Sequence, residues 1–164
     1  MRDPAFEQDE YADVAARLLV RVYEIHERVL SKGGGGLPGI REAGLLHAAV
    51  ARPFATFLGE ELYPTDFEKA AALFHSLIKS HPFMDGTKRT AFASAIYFLS
   101  ERGYRICEPL PMDEIIEYCV SLAEENVRIA WGGESKPRSI TQIAAWFQGL
   151  FSLDEWANDQ QPSR

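Results

Sequence analysis

The stretch His81-Pro82-Phe83-Met84-Asp85-Gly86-Thr87-Lys88-Arg89, followed by Thr90-Ala91-Phe92-Ala93-Ser94-Ala95, decides how this chain is read. Its first half is polar and broken by proline and glycine. Its second half, to Leu99, is apolar or small on nearly every helical face, which predicts a helix starting near residue 85 and surrounded by the rest of the domain. A base, an acid and two cations therefore fall within nine residues at a helix mouth. Pro82 disfavours helical geometry at His81, so the loop is expected to be extended there. Gly86 lets a ligand approach the backbone. The first N–H groups of a helix lack internal partners and carry the positive end of its dipole, which makes an anion site. Lys88 and Arg89 add positive charge, and Arg grips a phosphate with parallel hydrogen bonds. Asp85 supplies an oxygen of the kind that shares Mg²⁺ with phosphates. His81 is suited to take a proton from an attacking hydroxyl near neutral pH. Each residue alone fits an ordinary helix start; together they fit phosphoryl or nucleotidyl transfer.

Outward from this loop, helical periodicity dominates. Val14, Leu18, Leu19, Val22, Ile25, Val29 and Leu30 predict a long amphipathic helix over residues 9–31, stopped by Gly33-Gly34-Gly35-Gly36. A short helix is expected over 40–51, closed by Pro53. Residues 54–64 alternate weakly and read as a small β-hairpin or extended flap. Thr65-Asp66 is the expected cap of a helix over 67–80. Gly103 ends the helix of the motif. A fifth helix is expected over 112–127, a loop over 131–137, and a sixth helix capped by Ser139 and running to Phe151. The fold class is all-α: about six helices around a buried central one, here expected to be the fourth, with a small β-hairpin flap. The 164 residues read as one domain, with a core over 20–151 and a frayed tail over 152–164.

The remaining composition narrows the function. A net charge of -7 excludes broad nucleic-acid binding, which needs a basic face. The N-terminus has no apolar signal core, and the apolar run 91–99 is too short to span a membrane. A cytoplasmic protein is expected, with Cys107 and Cys119 as reduced, semi-buried thiols. His26 and His47 read as surface or helix-face residues and His75 as packing beneath the site. The aromatics Trp131, Trp146, Phe147 and Phe151 read as core, with Trp146 also placed to line a partner groove. Glu124 and Glu125 read as a solvated face.

The motif resembles that of the Fic/Doc (Fido) family, His-x-Phe-x-Asp/Glu-Gly/Ala-Asn-x-Arg, which His81, Phe83, Asp85, Gly86 and Arg89 match position by position. Lys88 with Arg89-Thr90-Ala91 resembles the death-on-curing (Doc) branch, as do Gly39 to Leu46, Ala51-Arg52-Pro53 and Trp146. The resemblance covers residues 20–151. It implies that His81 is the general base, Phe83 the loop's anchor in the core and Asp85 the Mg²⁺ ligand. Gly86, Thr87, Lys88 and Arg89 would surround the phosphates. Phe54, Thr56, Leu58 and Tyr63 would belong to a flap that aligns a target segment as an added strand. The implied activity is that of a Doc-like toxin, which moves the terminal phosphate of ATP to a Ser, Thr or Tyr hydroxyl of a target protein and is held by an antitoxin in trans. The alternatives are AMP transfer of the Fic type and a catalytically impaired nucleotide- or partner-binding module. The last follows from one departure: Thr87 stands where the family carries Asn, and it offers a single short hydroxyl for an amide. Ser121, Glu125 and Asn126 fit the loose Ser/Thr-x-x-x-Glu-Gly/Asn pattern of an inhibitory helix.

Overall fold

The computed structural model describes residues 4–130, 132 and 136–151, leaving aside the side chains of 4–10 and 126–130. The expected tail over 152–164, Trp131, most of the 131–137 loop and the Asn126 side chain lie outside what it describes.

Among the described residues there are six α-helices and one two-stranded sheet: α1 (Pro4–Lys32), α2 (Ala43–Ala51), β1 (Thr56–Phe57), β2 (Glu60–Glu61), α3 (Asp66–Ser80), α4 (Thr87–Ser100), α5 (Met112–Ala130) and α6 (Ile140–Gln148). The all-α expectation with a small hairpin holds. Helix α1 starts earlier than its apolar spacing suggests, because Ala5, Glu7, Gln8 and Glu10 are good helix formers without an apolar pattern. Its buried stripe is Leu18, Val22, His26 and Leu30, four apart throughout. The stripe therefore contains a histidine, and the expectation of a surface His26 is overturned; His47 is exposed as expected.

Helix α2 is shorter at its start than expected. Residues 39–42 are instead drawn out to pair with the motif loop, Ile40 bridging Phe83. The helix ends at Ala51 as expected, and Pro53 follows in a 3-10 turn over Arg52–Phe54. That turn buries Phe54, 8% exposed, so Phe54 is a core residue and not part of the flap. The hairpin pairs Thr56 with Glu61 and Phe57 with Glu60. Leu58 and Gly59 both take positive φ, which matches the tight turn a two-residue hairpin requires. Phe57 and Leu58 are exposed at its tip. Its root is tied down: Tyr11 Oη donates to Glu61 Oε1 (3.3 Å), Lys69 Nζ pairs with the same oxygen (3.0 Å), and Arg52 Nε donates to Tyr63 Oη (3.0 Å).

The centre of the bundle is α3, not α4. Thr65 and Glu68 form a reciprocal capping box at its start, and Phe67, Ala70 to Phe74, Leu77 and Ile78 are buried. Helix α4 buries one face, Thr87, Thr90, Ala91, Ser94, Ala95, Phe98 and Leu99, while Lys88, Arg89 and Ser100 are exposed. Its small residues mark close approach to neighbouring helices along one side rather than burial all round. Helix α6 opens with a second capping box, Ser139 with Gln142, and ends at Gln148, three residues before the expected limit. Trp146 stacks flat on Tyr118, centroids 3.8 Å apart, lies near-parallel to Phe74 at 6.0 Å, and meets Phe92 tilted and Phe147 edge-on. Cys119 is buried, and burial pushes its thiol up to about 11. Cys107 is exposed, not semi-buried. Among the described residues no helix is long and apolar enough to cross a membrane.

Candidate active site

Helix α3 ends at His81, which adopts left-handed geometry with φ 49° and ψ 58°. The expectation of an extended residue there is corrected. Proline at 82 excludes the right-handed helical well, and the left-handed well common at helix C-termini is the alternative the chain takes. The bend throws the imidazole out of the α3 stripe and into solvent. Arg41 fixes the bend: Nε donates to His81 O (2.9 Å) and Nη2 to Ser80 O (3.0 Å). Pro82 O accepts from the Arg41 N–H (2.7 Å), and Met84 N donates to Gly39 O (3.0 Å).

Beneath the loop, Phe83 is fully buried and lies face to face with His26, centroids 3.9 Å apart and planes 12° apart. His26 Nδ1 is 3.1 Å from Thr90 Oγ1 in the first turn of α4. Burial holds this ring below the usual histidine range, with Glu27 partly offsetting that and Arg89 adding to it. His26 thus joins the loop's anchor to the helix behind it. Its place in the four-residue stripe of α1 was the signal that identifies it. Arg41 carries no comparable signal, because its partners are backbone carbonyls some 40 residues away.

The mouth of α4 is open. Gly86 precedes it with φ 70°, where any side chain is strained, and a Cβ there would stand a tight 3.1 Å from Leu30 Cδ2. No side chain caps this helix. The first helical backbone bond at this end runs from Thr90 N to Gly86 O (2.9 Å), so the Thr87, Lys88 and Arg89 amides precede the hydrogen-bonded ladder. Asp85 Oδ1 accepts from Gly86 N at 2.6 Å, which orients its carboxylate at the rim. Its other oxygen abuts Gly36, where a Cβ would be 2.8 Å away. Thr87 is buried and its Oγ1 lies 3.0 Å from His81 Nδ1. Lys88 is exposed. The Arg89 guanidinium donates to Gly33 O and Gly35 O (3.1 Å for the latter), so the glycine run after α1 becomes a cradle for this cation.

The structure therefore gathers His81, Asp85, Gly86, Thr87, Lys88 and Arg89 at one mouth, with Phe83 as its floor. Thr56 and Leu58 sit in the hairpin and Tyr63 at its root, with Phe54 left in the core. His75 lies half-buried at the same root, accepting from Arg52 Nη1 at 2.9 Å; burial and the Arg52 charge push it down to about 4. Ser121 and Glu125 are elsewhere. Glu125 is 3% exposed, not solvated, and its oxygens are taken by Lys79 (3.1 Å) and Arg138 (3.3 Å). Ser121 Oγ accepts from Arg138 Nη2 at 2.7 Å. The contacts of this acid are to α3 and the start of α6, while Arg89 is held by the glycine carbonyls.

A model of the Fic/DOC family matches residues 18–99. The chain belongs to the Fic/DOC family. The match spans the buried stripe of α1, the hairpin, α3 and α4 up to Leu99. Among curated relatives, Toxin Doc of Mycolicibacterium smegmatis is 45% identical over 94 residues, covering 56% of this chain and 72% of that protein. Protein kinase doc of Escherichia phage P1 is 30% identical over 115 residues, covering 66% of this chain and 89% of that protein.

Proposed function

We propose that this protein is a Doc-like toxin that transfers the terminal phosphate of ATP to a hydroxyl of another protein. The observation that carries the reading is an exposed His81 held beside the uncapped N-terminus of α4, with Lys88 and Arg89 at the same mouth. The names of the two relatives, a toxin and a protein kinase, support it. In this reading the Thr87, Lys88 and Arg89 amides and the Lys88 ammonium hold phosphate oxygens. Arg89 adds a fixed positive field, its donors keeping the glycine cradle in place. His81 takes the proton of the target hydroxyl as its oxygen attacks the terminal phosphorus and ADP leaves. An apolar cavity of about 350 Å³ beside Lys88, walled by Phe92, Ile115, Ile116, Cys119 and Val120, offers room for the nucleoside.

Mg²⁺ fits this donor set only as part of the nucleotide complex. Among the described residues no three His, Cys, Asp or Glu side chains converge on one point, and Mg²⁺ is commonly held by one carboxylate plus phosphate oxygens. Asp85, with one oxygen already oriented by Gly86 N, is that carboxylate. Bound there, Mg²⁺ would neutralise charge on the phosphates. The hairpin, rooted through Glu61 and Tyr63 and exposed at Thr56 to Leu58, would align the target backbone as an added strand. The partners are then a target protein with a Ser, Thr or Tyr hydroxyl and an antitoxin in trans, in the cytoplasm.

AMP transfer by the same mouth is the second reading, supported by the breadth of the family itself. Incubating the protein with a bacterial lysate and either γ- or α-labelled ATP separates the two. The account expects γ-label on a target, lost with EDTA and reduced about 100-fold or more in His81→Ala. Transfer of α-label instead would assign the AMP chemistry. Undiminished labelling by His81→Ala would remove the base from the mechanism.

A further inference from the structure

The residue that departs from the family pattern is also the one that touches the base. Thr87 is 4% exposed, fixed as the first residue of α4, with its Oγ1 3.0 Å from His81 Nδ1. A neutral imidazole has one N–H and one lone pair, on different nitrogens. With Nδ1 turned in to Thr87, it is Nε2 that faces outward. Were the threonine to donate into Nδ1, the ring proton would sit on Nε2 and the outward nitrogen would have no lone pair to offer. Were Nδ1–H to donate to the threonine oxygen, the lone pair would stand on Nε2.

Resting on the reading of His81 as general base, we infer that Thr87 is a positioning residue whose oxygen accepts the Nδ1 proton of His81 and so presents the Nε2 lone pair to the target hydroxyl. The step then balances. The target O–H proton moves to Nε2 and its electron pair forms the new bond to the terminal phosphorus. The bond from that phosphorus to the bridging oxygen breaks, and its electrons leave with ADP. The imidazolium so formed donates from both nitrogens, and the same threonine oxygen continues to accept from Nδ1–H. Threonine at this position is on this account not a weakened phosphate ligand. It is a fixed acceptor for the base, and the helix amides are left to hold the anion.

The test is long-range ¹⁵N–¹H correlation NMR of the histidine rings in the full chain at neutral pH without nucleotide, joined to steady-state kinetics with γ-labelled ATP. His81 is expected in the Nδ1–H form in the parent and in Thr87→Ser, which retains the hydroxyl. In Thr87→Val the ring is expected to move to the Nε2–H form. There kcat should fall about 10-fold or more with KM for ATP changed less than about 2-fold, and serine should restore it. A parent His81 already in the Nε2–H form overturns the inference, as does a raised KM at unchanged kcat in Thr87→Val. If Thr87→Val fails to fold, the parent and serine spectra still decide. The ring measurement needs no reaction, so a parent that transfers no label would defeat the proposed function without touching the tautomer result.

Discussion

Helices α3 and α4 meet at the same loop and begin in opposite ways. Helix α3 opens with a complete capping box, as α6 does, and its far end is closed by the Arg41 guanidinium on the last carbonyls. Helix α4 opens on a left-handed glycine with no side-chain cap. A bare helix N-terminus costs stability that a serine or threonine would supply, typically about 1 kcal/mol. The fold accepts that cost at α4, as it does at α2, whose Glu42 makes no side-chain cap, and avoids it at α3 and α6. What separates α4 from the capped starts is company: Asp85, His81, Lys88 and Arg89 stand around the bare end, whereas the charges described near the capped ends are paired with each other, Asp66 with Arg102 and Arg138 with Glu125. On the proposed function, the amides at the centre of that charged cluster are the ones that hold the phosphates.

The contrast can be broken first at its floor. Phe83 is fully buried against His26, so Phe83→Ala should cost about 3–5 kcal/mol in denaturant unfolding and abolish transfer with it. Next is the glycine that keeps the mouth open. Gly86→Ala places a Cβ at φ 70° and 3.1 Å from Leu30, which should cost about 1–2 kcal/mol, read as a lowered urea midpoint. The capped ends sharpen the contrast from the other side. Thr65→Ala and Ser139→Ala should each lose about 1 kcal/mol while transfer per folded molecule stays at the parent's level. A cap variant that loses activity at full stability would show that the two kinds of helix start are not distinct.

A further effect of similar size is in pH. His75 titrates near 4 in the folded protein and near 6.5 when unfolded. Between those values the unfolded chain binds the proton and the folded one does not. Stability is therefore full above about 6.5 and falls as pH drops toward 4. Screening by solvent at this half-buried ring keeps the loss to about 1–2 kcal/mol. His75→Gln should flatten that slope in unfolding titrations. A slope that persists unchanged would move the proton uptake to another group.

Much of this was legible in the chain because the deciding signals are local. The glycine run, the Thr65 and Ser139 caps, and the crowding of His81, Asp85, Lys88 and Arg89 all lie within a few residues of what they determine. The misreadings have one physical cause, which is that burial is set by partners distant in sequence. Small residues made α4 look enclosed, when they record close packing on one side. Glu125 looked solvated because Lys79 and Arg138 lie 46 and 13 residues away. Phe54 looked like flap because the 3-10 turn that buries it has no pattern of its own. The contact of Thr87 with His81 was hidden because the bend at His81 is held by Arg41, 40 residues away. His26 was the exception, since its four-residue register with Leu18, Val22 and Leu30 was readable and outweighed by its polarity.

The most direct measurement is an amide ¹H–¹⁵N titration of the protein with Mg-ATP. The account predicts that the Thr87, Lys88 and Arg89 amides shift in a saturable way while the first amides of α3 and α6 stay still. Shifts spread equally over the three helix starts, or absent from α4, would contradict it.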